Sequence, residues 1–176
     1  MALLIPGGLS AQDFANPSEW PTAEALEQGL PEDWVVVHGC HWTLPTRRRL
    51  MQGEIDFVVI SPAGAVVLVE QKNGPVELLG GELRKAYGDG EKSVSKQMAR
   101  KRDAFLRKLQ RGRIPAPTGC ISVGYFPDAR IKEVLDIALD ECCLVDQARA
   151  ERLPRVIEQL IGEGVPAPEK VNAIVA

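Results

Sequence analysis

Residues 16–30, NPSEWPTAEALEQGL, read as a helix: Ser18 is placed as its N-cap, and Glu19 falls in the first turn, where the helix dipole favours an anion. Gly29 and Pro31 end it. WVVVHGCHW then reads as a strand, TLPTRRRLMQG as a loop and EIDFVVI as a second strand. SPAG is a turn and AVVLVEQK a third strand, so the last two strands form a β-hairpin. Both are apolar on both faces, which predicts a sheet covered on both sides. A short β excursion with glycine turns follows, NGPVELLGGELRKAYGDG. In SVSKQMARKRDAFLRKLQRG, Val94, Met98, Phe105 and Leu109 recur at helical spacing, with Lys96, Arg100, Lys101, Arg107 and Lys108 assigned to the opposite face. GCISVGYFP and CCLVD read as strands, and QARAERLPRVIEQLIGEG as a helix or helix pair interrupted near Pro154. This order predicts an α/β fold, a mixed central sheet flanked by helices.

Composition changes that picture little. The chain has 176 residues, 45% hydrophobic and 26% charged, enough for one domain with a proper core. No apolar run approaches the roughly 20 residues of a membrane span. The four cysteines make no CxxC pair and no disulfide spacing, which points to a reducing, cytoplasmic location. Residues 1–163 are expected to form the domain, and 164–176 a linker or the start of a further one, as in the front piece of a longer protein.

Charge is unevenly spread. Net charge is −3, yet residues 47–113 hold fifteen basic and eight acidic side chains, against none and six in residues 1–46. A basic middle third is the footprint of a polyanion partner, but charge alone favours the plainer reading, a solvated helix face.

The candidate chemistry lies in the hairpin, GEIDFVVISPAGAVVLVEQKNG. Asp56, Glu70 and Lys72 occupy strands that otherwise read as buried, where charges are rare without a partner or a metal. Glu70 and Lys72, two apart, share a face, with Gln71 on the other. Asp56 is on the neighbouring strand, where cross-strand Cβ atoms lie about 4.5–5.5 Å apart. Two carboxylates suit a hard cation such as Mg²⁺, and an adjacent ammonium can orient a water or stabilise charge on a phosphate. The same trio reads as readily as an ion pair at a sheet edge.

GEIDFVVISPAGAVVLVEQKNG closely resembles the core of the nuclease-related domain (NERD) family, whose pattern is G-E-I-D, an apolar strand, a turn, and a strand ending E-x-K-N. That family is placed with the restriction-endonuclease-like PD-(D/E)XK fold. The resemblance implies a divalent metal, Mg²⁺ or Mn²⁺, on Asp56, Glu70 and the Gln71 carbonyl, with Lys72 assisting catalysis. PSEWPTAEALEQGLPEDWVVVH resembles the leading helix of the family, whose glutamate matches Glu19, with Glu24 as the fallback. Ser18 stands where the family often has glycine. SVSKQMARKR resembles the helix whose glutamine faces the site, here Gln97, with Lys101 one turn on and able to meet a phosphate. Lys96 and Arg100, and Arg47, Arg48 and Arg49 before the second strand, are further candidates for phosphate contact. What the resemblance implies is a metal-dependent nuclease acting on DNA, with RNA the alternative polymer. A homodimer and a fused or associated helicase-type motor are further implied partners. The rival is a non-catalytic nucleic-acid-binding module of the same fold.

Other groupings carry less. His38, Cys40 and His41 lack the second ligand cluster of a structural zinc site, and His38 and Cys40 are expected to share a face in the core. Trp20, Trp34 and Trp42 are expected in the core, and no phosphate-cradling glycine loop occurs.

Overall fold

A computed structural model describes residues 1–45, 50–88, 90–131 and 143–176. Arg47, Arg48 and Arg49 lie outside the described residues, as does Cys142. In chain order the strands and helices are β1 (Leu3–Ile5), α1 (Trp20–Gly29), β2 (Val35–Pro45), β3 (Leu50–Ile60) and β4 (Val66–Gln71). They continue with β5 (Glu77–Leu79), β6 (Glu82–Tyr87), β7 (Gly90–Ser93), α2 (Val94–Arg111) and β8 (Cys120–Phe126). The last are β9 (Leu144–Asp146), α3 (Leu153–Ile161) and α4 (Pro168–Val175).

Six strands form one mixed sheet in the order β1-β2-β3-β4-β8-β9. β2, β3 and β4 run antiparallel in turn, whereas β4, β8 and β9 are parallel. The apolar strands are covered on both sides, as their composition predicts. Phe57, Val59, Val67 and Val69 pack with Ala23 and Leu26 of α1 and with Leu153, Ile157 and Ile161 of α3. Val58, Ile60, Val66 and Leu68 pack with Ala104, Phe105 and Leu109 of α2 and with Val171 of α4. Each of these side chains larger than alanine contributes roughly 1.5–3 kcal/mol by leaving water. The result is a three-layer α/β sandwich, the flanked mixed sheet expected from the element order.

Several local expectations are refined. Asn16, not Ser18, caps the first turn: its side chain accepts the Ser18 N–H at the head of a 3-10 turn over Pro17–Glu19, from which α1 continues. The expected loop at residues 43–53 is largely strand, because β2 and β3 stay paired out to Pro45 and Leu50. The glycine-rich excursion becomes a separate antiparallel sheet, β5-β6-β7, joined to the body through Leu83, Val94, Met98 and Phe126. The expected helix pair with a boundary near Pro154 is present: a 3-10 helix over Gln147–Arg152 gives way to α3, and Pro154 sits in the first turn of α3, where a missing N–H costs nothing. Trp34 and Trp42 are buried, and Trp20 packs edge-on against Phe14.

The strand alternation slips at one place, and the site lies beside it. Ile55 joins the α2 side of the core, but Phe57, two residues on, joins the α1 side. The β2–β3 ladder pairs His38 with Phe57 and Cys40 with Ile55, leaving Gly39 across from Asp56. Gly39 has φ +66, a conformation other residues resist. His38 and Cys40 consequently face opposite sides, not the same one: His38 stacks with Phe14 and Phe57, and Cys40 packs toward α2. Gly53 is required for another reason. A Cβ there would sit 2.4 Å from the Trp42 indole, which lies across it.

Candidate active site

The site forms where the β3–β4 ladder ends. The last paired residues are Phe57 and Val69, and one step further the register sets Asp56 across from Glu70. There the backbone bond gives way to a side chain: Asp56 Oδ2 accepts the Gln71 N–H at 2.7 Å. Glu70, Gln71 and Lys72 are all buried, at 3%, 6% and 9% exposure, so each needs a partner. Lys72 Nζ bonds Glu70 Oε1, and Lys101 Nζ, reaching down from α2, bonds Glu70 Oε2. Lys101 Nζ also lies 3.4 Å from Asp56 Oδ1. Two carboxylates and two ammoniums thus close a compact, balanced cluster.

Burial sets the protonation of this cluster. Desolvation, reinforced by the Glu70 charge, pushes Asp56 up to about 6 despite the two lysines. Desolvation acts the other way on Lys72, but the Glu70 carboxylate, with Asp56, outweighs it and holds the ammonium above its ordinary value.

Gln71 points to the opposite side of the sheet, as the strand period predicts. Its Oε1 accepts from Thr22 Oγ1 of α1 at 2.7 Å, and its Nε2 donates to the Ser18 carbonyl and to Asn73 Oδ1, both at 2.9 Å. Asn73 is the hub of this face. Its Oδ1 also accepts from Ser18 Oγ at 2.9 Å, and its Nδ2 donates to Asp128 Oδ2 at 2.8 Å. Asp128 additionally accepts the Gly74 N–H at 3.2 Å. It follows the end of β8, the parallel neighbour of β4, so the network lies at the carboxyl ends of two parallel strands, where α/β sheets place their ligands.

Glu19 sits on that second side. Its Oε2 pairs with His38 Nε2 at 2.9 Å, and its Oε1 accepts from Asn16 Nδ2 at 3.0 Å. Burial would raise this carboxyl, but the His38 and Asn16 hydrogen bonds, with the more distant Lys101 charge, hold it below the usual range. Among the described residues, no three of His, Cys, Asp and Glu converge as a ready metal cluster. Asp56 and Glu70 do converge, on the Lys101 ammonium. Two carboxylates are enough for a Mg²⁺-type ion, which keeps several waters, and hard oxygen donors are the right chemistry. On α2, Gln97 Nε2 is buried with no hydrogen-bond partner among the described residues. The residues therefore fit a divalent cation.

The remaining basic residues divide by exposure. Arg100 is exposed, and Lys96 is exposed with its Nζ 2.6 Å from Glu82 of β6. Lys101 is different. Positions 94, 98, 101, 105 and 109 form one stripe of α2, and Lys101 is the charged member of that otherwise apolar set. The small sheet flanks Lys72: Lys85 Nζ bonds the Asn73 carbonyl, and burial and the Lys72 charge lower its pKa. Tyr87 lies beneath Lys92 and Lys85, 5.0 and 5.8 Å from its ring centre. Sequence reasoning passed over Asn73 and Asp128, and weighed His38 as a zinc ligand or core residue rather than as the partner of Glu19. Asn73 was visible as the last letter of E-x-K-N; Asp128 carries no local signal.

The mixed six-stranded sheet flanked by helices is an α/β fold consistent with a nuclease-like domain. The sequence profile of the nuclease-related domain, NERD, matches residues 15–127, and the chain belongs to that family. The placement of the family with the PD-(D/E)XK superfamily agrees with this fold. The matched span contains Glu19, Asp56, Glu70, Lys72, Gln97 and Lys101. No curated protein and no solved structure gives a significant match. Among the described residues, no helix is long and apolar enough to cross a membrane.

Proposed function

We propose that this domain hydrolyses phosphodiester bonds of nucleic acid, DNA by preference, with Mg²⁺ or Mn²⁺. The observation that carries this reading is the convergence of half-buried Asp56 and buried Glu70 on one cation position with Lys72 beside them. Asp56 and Glu70 would hold the metal, with the Gln71 carbonyl completing the set; Glu19, engaged by His38 and Asn16, would act through a water. A bound divalent ion supplies an activated water and neutralises charge on the leaving oxygen. Lys72, kept protonated by Glu70, orients the attacking water and stabilises the negative charge that develops on phosphorus. Gln97 offers its unpaired amide to the substrate, and Lys96 and Arg100 on the outer face of α2 meet the flanking phosphates. Such contacts carry little sequence information, so weak sequence preference and strong salt dependence follow.

The test is cleavage of supercoiled plasmid and single-stranded DNA in Mg²⁺, Mn²⁺ and EDTA, by the wild type, Asp56→Ala and Lys72→Ala. Metal-dependent cutting should fall by on the order of a thousandfold in both variants. DNA retention on a gel with no cutting by any of them would instead favour the binding-module reading, a domain that guides a helicase-type motor.

A further inference from the structure

We propose that Lys101 is a built-in cation of the site: its ammonium holds the position between Asp56 and Glu70 and yields it to the divalent metal, becoming free to meet a substrate phosphate. This rests on the metal-dependent reading of the same site.

Three observations carry it. Lys101 Nζ bonds Glu70 Oε2 and stands 3.4 Å from Asp56 Oδ1, so it lies between the oxygens that a shared metal would need. Lys101 projects from the buried stripe of α2, where a charge is held only because those carboxylates receive it. The cluster is already neutral, two carboxylates against two ammoniums, so a second cation at the same oxygens is repelled until one ammonium leaves. Of the two lysines, Lys101 has the way out. Its side chain is 20% exposed against 11% for Lys72, and it is anchored on the helix that also carries exposed Lys96 and Arg100. A flexible four-carbon stem lets the ammonium swing without moving the helix.

The exchange links two ligands. Metal binding and phosphate binding both favour the state in which Lys101 has left the carboxylates, so each must strengthen the other by the same factor. Without metal, Lys101 keeps the carboxylates from repelling one another and is itself withheld from phosphate.

The test is Mn²⁺ binding by calorimetry to the metal-stripped chain, in the absence of nucleic acid. Lys101→Met and Lys101→Gln are compared with the wild type, after circular dichroism has established that they are folded; if Met fails to fold, Gln decides. Mn²⁺ should bind on the order of tenfold more tightly to the variants. Equal or weaker binding to the variants, with the wild type still binding, overturns the exchange and leaves the metal site standing. No binding to any of the three at millimolar Mn²⁺ overturns the metal reading, and the exchange with it. A second readout is the salt dependence of binding to a phosphorothioate oligonucleotide. Mn²⁺ should steepen the wild-type slope by about one phosphate contact and leave the Lys101→Met slope unchanged. An equal steepening in both would also overturn the proposal.

Discussion

The two ends of the β3–β4 hairpin are built from the same strands and do opposite things. At the turn end, Val58 to Ile60 and Val66 to Leu68 are fully laddered and buried on both faces. The buried polar group there, Ser61, is satisfied locally: its N–H donates to the Ala65 carbonyl at 2.9 Å, and its Oγ accepts the Ala65 N–H at 3.2 Å. At the other end the ladder stops, Asp56 takes over a backbone partner, and four charges meet in a nearly dry space. The first end stabilises the fold, and the second draws on that stability. A buried charge cluster contributes little net stability, because desolvation offsets most of its attraction. The apolar half fixes the two strands so rigidly that the carboxylates cannot drift apart to rehydrate.

That contrast can be broken from either side. The largest effect should come from the apolar half: Phe57→Ala removes a fully buried ring between His38 and the α1 face, and should cost about 3–5 kcal/mol in urea unfolding. Cleavage per folded molecule should fall too, because His38 would lose the ring that seats it beside Glu19.

Asp56→Asn should act in the reverse sense on stability. Asp56 is raised to about 6 in the fold, above its unfolded value of 3.8, by burial and by Glu70, against the pull of Lys101 and Lys72. A carboxyl raised on folding favours the folded state at low pH, and that contribution is lost as pH rises through the interval from about 4 to 6. In EDTA the wild type should therefore lose up to about 3 kcal/mol between pH 4 and 7.5 from this group, and Asp56→Asn should flatten that slope. Melting curves across that range check it. The substituted amide can still accept the Gln71 N–H, so the fold persists while metal-dependent cleavage disappears.

The smallest effect is expected at Asn73. Asn73→Ala deletes bonds to Ser18, Gln71 and Asp128 at a partly solvated position, and should cost about 1–2 kcal/mol in denaturant melts. Cleavage at saturating metal should drop by more than that loss of stability explains, since Asn73 holds Gln71 and thereby the end of β4.

Much of this fold was legible locally. The apolar strands around SPAG, the stripe on α2 and the placement of Gln71 opposite Glu70 and Lys72 follow from the periods of strand and helix. The paired stretch at residues 43–45 and 50–53 was not legible, for a physical reason. There β2 and β3 extend as a ribbon past the end of β4, and the half-buried positions of β3 are Met51 and a glycine, Gly53, while the apolar Leu50 is exposed, so the alternation of burial is not mirrored by an alternation of residue type. Lys101 was placed with the solvated residues although its spacing from Val94, Met98, Phe105 and Leu109 puts it on their stripe; its charge was read before its position.

By itself, then, the sequence determined which segments become strands and helices, and that Asp56, Glu70 and Lys72 lie at the end of an apolar hairpin, because backbone geometry repeats over a few residues. Tertiary structure decided the rest: the register that sets Asp56 across from Glu70, the pairing of Glu19 with His38, the hub at Asn73, and the descent of Lys101 onto both carboxylates. Those depend on which side chains, far apart in the chain, come to fill the same space. No local period encodes that choice. It is made when the two faces of the sheet are covered and each buried charge is left to find the nearest opposite one.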